Sequence, residues 1–150
     1  MAEISGVHLW LVMMKAHRSL ARYAEQSIAR SDLGLSDFAV LEVLLHKGPQ
    51  KVSELGRRVG LTSGSITSAI NRLEEAGWVS RSSVGEDRRS RLVELSARGE
   101  KLIRKVFAHH EEVMETAASG LSRAERNALV PLLKKLGMAA DAAFAVESAR

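Results

Sequence analysis

The chain has 150 residues, 45% hydrophobic and 27% charged, and a formal net charge of +4 with its histidines neutral. That length suits one domain with a real core and helical extensions, and the composition excludes wholesale disorder. There is no cysteine, which excludes disulfides, thiolate zinc sites and thiol redox switching.

The spacing predicts a long first helix from about Ser5 to Ala29. Trp10, Met13, Met14, His17, Leu20, Ala21, Ala24 and Ile28 recur at three- and four-residue steps and draw one apolar stripe. Leu9, Leu11 and Val12 widen it, so this end is expected to be buried on more than one side. A second helix runs to about Lys47, with Ser36 as its expected cap and Gly48-Pro49 as its stop. A short helix follows from Val52 to Val59, closed by Gly60. Thr62 is then a good cap for a helix ending at Ala76, before Gly77.

Here the period changes. Trp78–Arg81 and Leu92–Leu95 are short and β-prone, and they bracket the polar loop Ser83–Ser90, which predicts a hairpin with a long tip. Ser96 is expected to cap a fifth helix to about Ala118. Ser122 and Glu125 form a capping box for the last one, in which Pro131 should cause a kink or break. The fold class is mainly α with a two-stranded β-wing. Its expected parts are an N-terminal helix (1–34), a winged helix-turn-helix (35–99) and C-terminal helices (100–150).

Charge is concentrated in the middle of the chain. Residues 50–105 hold 12 basic and 7 acidic side chains, whereas the flanking segments are close to neutral. A locally basic helix–turn–helix–hairpin suits an anionic partner, with double-stranded DNA as the first candidate. In the Thr62 helix, Ile66, Ala69, Ile70 and Leu73 should face the core. Ser63, Ser65, Thr67, Ser68, Asn71 and Arg72 then point mostly outward. Such short polar residues are poor helix formers but good donors to phosphates and base edges. Gly64 lets a phosphate approach the helix N-terminus closely. The hairpin tip carries Asp87, Arg88, Arg89 and Arg91, where Asp87 can orient Arg89 toward a minor groove.

These residues resemble the MarR family of bacterial transcriptional regulators over Leu35 to Gly99. The matching runs are Gly48-Pro49, Val52-Ser53-Glu54-Leu55, Val59-Gly60-Leu61-Thr62, Ile70-Asn71-Arg72-Leu73-Glu74-Glu75-Ala76-Gly77-Trp78-Val79, and Glu86-Asp87-Arg88-Arg89-Ser90 leading to Val93–Gly99. The resemblance implies a homodimer built from the first and last helices, a recognition helix at Thr62–Ala76 and a wing carrying Asp87-Arg88-Arg89. Lys51 departs from the threonine usual at that cap, which should weaken it.

The resemblance also implies release of the operator by a small aromatic or phenolic effector. Trp10, Met13, Met14, His17, Phe38 and His110 are the candidate ligand residues, since methionines adapt to ligand shape and a histidine can pair with an anion. No cofactor is expected. Adjacent His109 and His110 point about 100° apart on a helix, which argues against a metal site. No phosphate loop, metal-ligand helix or nucleophile elbow points to an enzyme. With no apolar run of membrane-spanning length and no signal peptide, a cytoplasmic repressor is the expectation. A winged helix used for protein contact, or a metal-responsive regulator, are the competing readings.

Overall fold

The computed structural model describes residues 3–83 and 91–149, without the side chains of Ser83 and Arg91. Contacts group the chain into two compact units, Met1–Met114 and Glu115–Arg150. The first holds α1 (Gly6–Ile28), α2 (Leu35–Lys47), β1 (Gln50–Lys51), α3 (Val52–Val59), α4 (Ser63–Glu75), β2 (Val79–Ser83), β3 (Arg91–Leu95) and most of α5 (Ala97–Ala117). The second holds the end of α5 and α6 (Arg123–Ser148).

The core lies in the first unit. Phe38, Val40, Leu41 and Leu44 of α2 pack with Leu55 of α3, with Ile66, Ala69, Ile70 and Leu73 of α4, and with Ile103 and Val106 of α5. The wing is antiparallel, with Val79 opposite Leu95 and Arg81 opposite Val93. A short third strand joins it, since Gln50 pairs with Val93 and Lys51 with Leu92, giving the order β1-β3-β2. Two residues are too few to leave a periodic signal, so this strand was not foreseen. Gly77, at φ 74, ends α4 in the left-handed region that a side chain disfavours.

Three local expectations are corrected. Ser36 does not cap α2, because the helix starts at Leu35 with Gly34 in the cap position and no side-chain bond. Pro131 does not break α6, which runs continuously from Arg123 to Ser148. Proline removes one internal hydrogen bond, and the remaining turns and the Ser122–Glu125 capping box hold the helix. The apolar start of α1 is not buried on several sides, since Leu9, Trp10, Leu11 and Val12 are all exposed. Lys51 does sit at the N-cap of α3 without a side-chain bond.

Ser96 clips α5 to the wing. Its N–H donates to the Trp78 carbonyl at 3.0 Å, its hydroxyl donates to the Gly77 carbonyl at 2.7 Å, and the Gly99 N–H donates to its Oγ at 2.9 Å. A Cβ on Gly99 would lie 1.9 Å from the Trp78 oxygen and 2.7 Å from its carbonyl carbon. Backbone has nowhere to go. Gly99→Ala is therefore expected to cost about 3 kcal/mol, or roughly 6–12 °C in Tm for a chain of this size. Thermal unfolding followed by circular dichroism checks it, and a variant melting within 2 °C of the parent would show that the junction yields.

Candidate nucleic-acid interface

The sequence forms α4 for local reasons. Thr62 caps it, accepting from the Ser65 N–H at 3.2 Å and donating its hydroxyl to Ser65 Oγ at 2.9 Å. At about 100° per residue, Ile66, Ala69, Ile70 and Leu73 fall on one side, and all four are buried. Gly64, Ser68 and Asn71 fall on the opposite side, while Ser63, Ser65, Thr67 and Arg72 occupy its margins. All seven are exposed. The Thr67 hydroxyl is already used on the Ser63 carbonyl at 2.8 Å. A solvent-facing helix surface this rich in small polar groups is the arrangement a major groove accepts.

Both flanks of the helix are tied down. On one side, Arg72 reaches α2 and donates from Nη2 to Asp37 Oδ1 at 2.6 Å. That hydrogen bond and the adjacent carboxylate charge raise the already high Arg72 pKa. On the other side, Arg81 of β2 donates to Asn71 Oδ1 at 2.6 Å and pairs with Glu74. Sequence reasoning placed neither Asp37 nor Arg81 here. They lie 35 and 10 positions from their partners, so only the fold brings them together.

A cleft of about 480 Å³ opens at the N-terminus of α4, lined by Ser36, Thr62, Gly64, Ser65, Ser68 and Arg72. Hydroxyls and the first N–H groups of a helix can together hold a phosphate, and the Arg72 guanidinium on the wall is already paired with Asp37. Among the described residues a Cβ on Gly64 would meet nothing within 4 Å, so none of their contacts requires glycine there. Ser36 is an addition to the expected set, and it reaches the cleft because α2 starts one residue earlier than its supposed cap. Asp87, Arg88 and Arg89 lie outside the described residues, and of Arg91 only the backbone, on β3 opposite Ser83, is described.

The candidate ligand residues fall into two groups. Phe38 and His110 meet, with ring centroids 4.8 Å apart. His110 Nδ1 lies 2.7 Å from Ser27 Oγ. The Ser27 hydroxyl donates to the Ala24 carbonyl, so its oxygen accepts and Nδ1 carries the hydrogen. Trp10, Met14 and His17, by contrast, are exposed on the first half of α1, with Met13 partly covered. His17 therefore does not share the apolar environment expected of it. It stands ten residues before Ser27, about 15 Å along the helix, so the six do not form one pocket within a single chain.

Burial holds the His110 pKa below the usual histidine range, with nearby His109 adding to the effect and Glu42 opposing it. The unfolded chain protonates this histidine near pH ~6.5, and the folded chain does so only below it. Stability is thus complete above that pH and declines as pH falls through it toward the folded value. Melting temperatures from pH 7.5 to 5.5 should fall for the parent and fall less for His110→Gln. Parallel curves would assign the acid sensitivity elsewhere.

A second cavity, of about 470 Å³, lies between the C-terminal end of α1 and α5. Leu102 and Val106 supply an apolar wall, Arg30, Lys105 and His109 supply nitrogen donors, and Ser27, Ser31 and Asp32 complete it. Among the described residues, no cluster of three or more His, Asp or Glu suits a metal, and no helix is long and apolar enough to cross a membrane.

Comparison with known proteins agrees with this geometry. The model of the MarR family matches residues 33–90. Two proteins of Bacillus subtilis (strain 168) are similar over most of the chain. The uncharacterized HTH-type transcriptional regulator YkoM is 33% identical over 133 residues, covering 89% of this chain and 86% of its own length. The HTH-type transcriptional regulator MhqR is 32% identical over 133 residues, covering 89% and 92%. Among solved structures, Bordetella bronchiseptica BpsR, whose DNA binding is regulated by 6-hydroxynicotinic acid, has a TM-score of 0.76 at 26% identity, covering 89% of this chain and 93% of that one.

Proposed function

Because the chain belongs to the MarR family of transcriptional regulators, we propose that it represses transcription as a homodimer on a pseudo-palindromic operator. It is a DNA-binding regulator with a winged helix, and its relatives are regulators rather than enzymes. The observation that carries the reading is the open face of α4 beside the hydroxyl-lined cleft at its N-terminus. In this reading Thr62, Ser63, Gly64, Ser65 and Ser36 meet the backbone. Ser68, Asn71 and the margin residues Thr67 and Arg72 meet base edges, and Asp87, Arg88, Arg89 and Arg91 form the wing contact.

Homodimerisation is supported by the apolar surfaces of α1 and α6. Val7, Trp10, Leu11 and Val12 on one, and Leu132, Met138, Phe144 and Val146 on the other, are each about half exposed or more. Surfaces of this kind rarely face water in a monomer. Two-fold symmetry then places half-site centres about one helical turn, ~10 bp, apart.

An effector is the third part of the proposal. The cavity beside α5 is of the size small-molecule sites have, and it offers an apolar wall with Arg30, Lys105 and His109 for a carboxylate or phenolate. BpsR responds to a hydroxylated aromatic acid, which favours that class over a metal. The wall includes Ser27, which also holds His110 and through it Phe38 of α2. A ligand drives release only if it binds a DNA-incompetent spacing of the lobes more tightly.

A gel shift on the DNA upstream of the protein's own gene tests the whole reading, with and without a panel of aromatic acids and phenols. The expected result is a dimer that discriminates against competitor DNA and lets go when an active acid is added. Equal binding to every DNA would reject the operator. Sedimentation as a monomer at micromolar concentration would reject the dimer.

A further inference from the structure

Arg81 belongs to β2, yet its guanidinium is committed to the recognition helix. Nη2 donates to the Asn71 carboxamide oxygen at 2.6 Å and Nη1 pairs with Glu74, one turn further along α4. A guanidinium has only donors, so the atom of the amide that faces it must be the oxygen. The usual ambiguity in the orientation of an asparagine amide is settled by chemistry. Asn71 is exposed on the side of α4 opposite the core, and among the described residues its amide nitrogen donates to nothing. Glu74 keeps the cation in place. Its carboxylate offsets the Arg81 charge, and the Arg81 side chain is only 20% exposed, so a DNA phosphate has little purchase on it.

We propose that Arg81 is a specificity-positioning residue, which fixes Asn71 as a hydrogen-bond donor toward the major groove. The inference rests on the reading of α4 as the recognition helix. An asparagine that reads adenine uses both ends, its nitrogen donating to N7 and its oxygen accepting from the N6 amino group. The cation occupies one lone pair of the Asn71 oxygen and fixes that end of the amide against Arg81, so the nitrogen is the end left for a base. Guanine presents N7 and O6 as adjacent acceptors and no donor on that edge. Asn71 therefore selects guanine over adenine at one base pair of each half-site.

The test is selection of sites from a randomised DNA pool by the intact protein, alongside Arg81→Met and Asn71→Asp, with the Tm of each recorded. The parent is expected to recover guanine at one symmetric position. Arg81→Met frees the oxygen, so the preference for guanine over adenine there should fall by about 5- to 150-fold, with other positions unchanged. Asn71→Asp keeps a partner for Arg81 but has no donor, so cytosine, which presents an amino group, should replace guanine. A folded Arg81→Met with the parent's preferences overturns the inference. So does a uniform loss across all sequences with a shallower salt dependence, which would make Arg81 a phosphate contact. If Arg81→Met does not fold, Asn71→Asp decides, and unchanged base selection overturns. A parent that selects no site at all rejects the recognition helix itself, whereas one that selects a site without that guanine rejects only the donor polarity.

Discussion

Raising monovalent salt from ~50 to ~200 mM is expected to weaken operator binding by about three orders of magnitude. The size of the effect follows from which cations are free to meet phosphates. In the lobe, Arg57 and Arg58 share Glu54, Arg72 is bound to Asp37, Arg81 to Glu74 and Arg104 to Glu100. The Glu54 carboxyl is held below its usual range chiefly by its hydrogen bond to Arg57, so that pairing persists through neutral pH. Guanidiniums paired one to one with a carboxylate release few counterions from DNA, while Arg57 and Arg58, with one carboxylate between them, keep a single net charge. In the proposed wing contact, Arg88, Arg89 and Arg91 carry most of the dependence, about six charges per proposed dimer. At ~0.9 per neutralised phosphate, the slope of log K against log salt is roughly −5. Anisotropy titrations at four salt concentrations measure it. Replacing the three wing arginines by glutamine should flatten the line to near the level of neutral contacts. A slope that survives this change would move the charged contacts onto the helices.

The elements and the core were legible because they rest on period and punctuation. Ile66, Ala69, Ile70 and Leu73 keep helical spacing, Gly60 and Gly77 end their helices, and Ser122 with Glu125 starts α6. The exposure of Ser65, Ser68 and Asn71 followed from the same arithmetic. What failed was whatever depended on a neighbour distant in sequence. A periodic stripe says that a face is apolar, not what covers it, and so the stripe through Trp10, Leu11 and His17 reads as interior although all three are exposed. The ties Arg72–Asp37 and Arg81–Asn71 leave no mark on either residue alone. Likewise, the cavity at Arg30, Lys105 and His109 joins two helices whose register no local pattern fixes. Adjacent His109 and His110 could be seen to point apart. Which of them would meet Ser27 could not.

Ending the chain before Ser122 is expected to leave a folded monomer whose operator affinity is lower by about two to four orders of magnitude. The core residues run from Ile28 to Val106, all within the first compact unit, so the lobe keeps what holds it together. In contrast, α6 spans 26 residues and buries none of them within its own chain. Leu132 is 62% exposed, Met138 73% and Phe144 72%. A helix of that composition gains stability only when a second apolar surface covers it, and another copy of the chain is the partner proposed above. Two lobes joined in a dimer engage their half-sites at high effective concentration, whereas a lone lobe binds with its own weak affinity. Light scattering coupled to chromatography gives the mass, and a thermal melt shows whether the lobe is intact. A truncated chain that melts cooperatively as a monomer and binds weakly fits the proposal. One that remains a dimer with parental affinity would place the interface on α1, whose exposed Val7, Trp10, Leu11 and Val12 would then be sufficient alone.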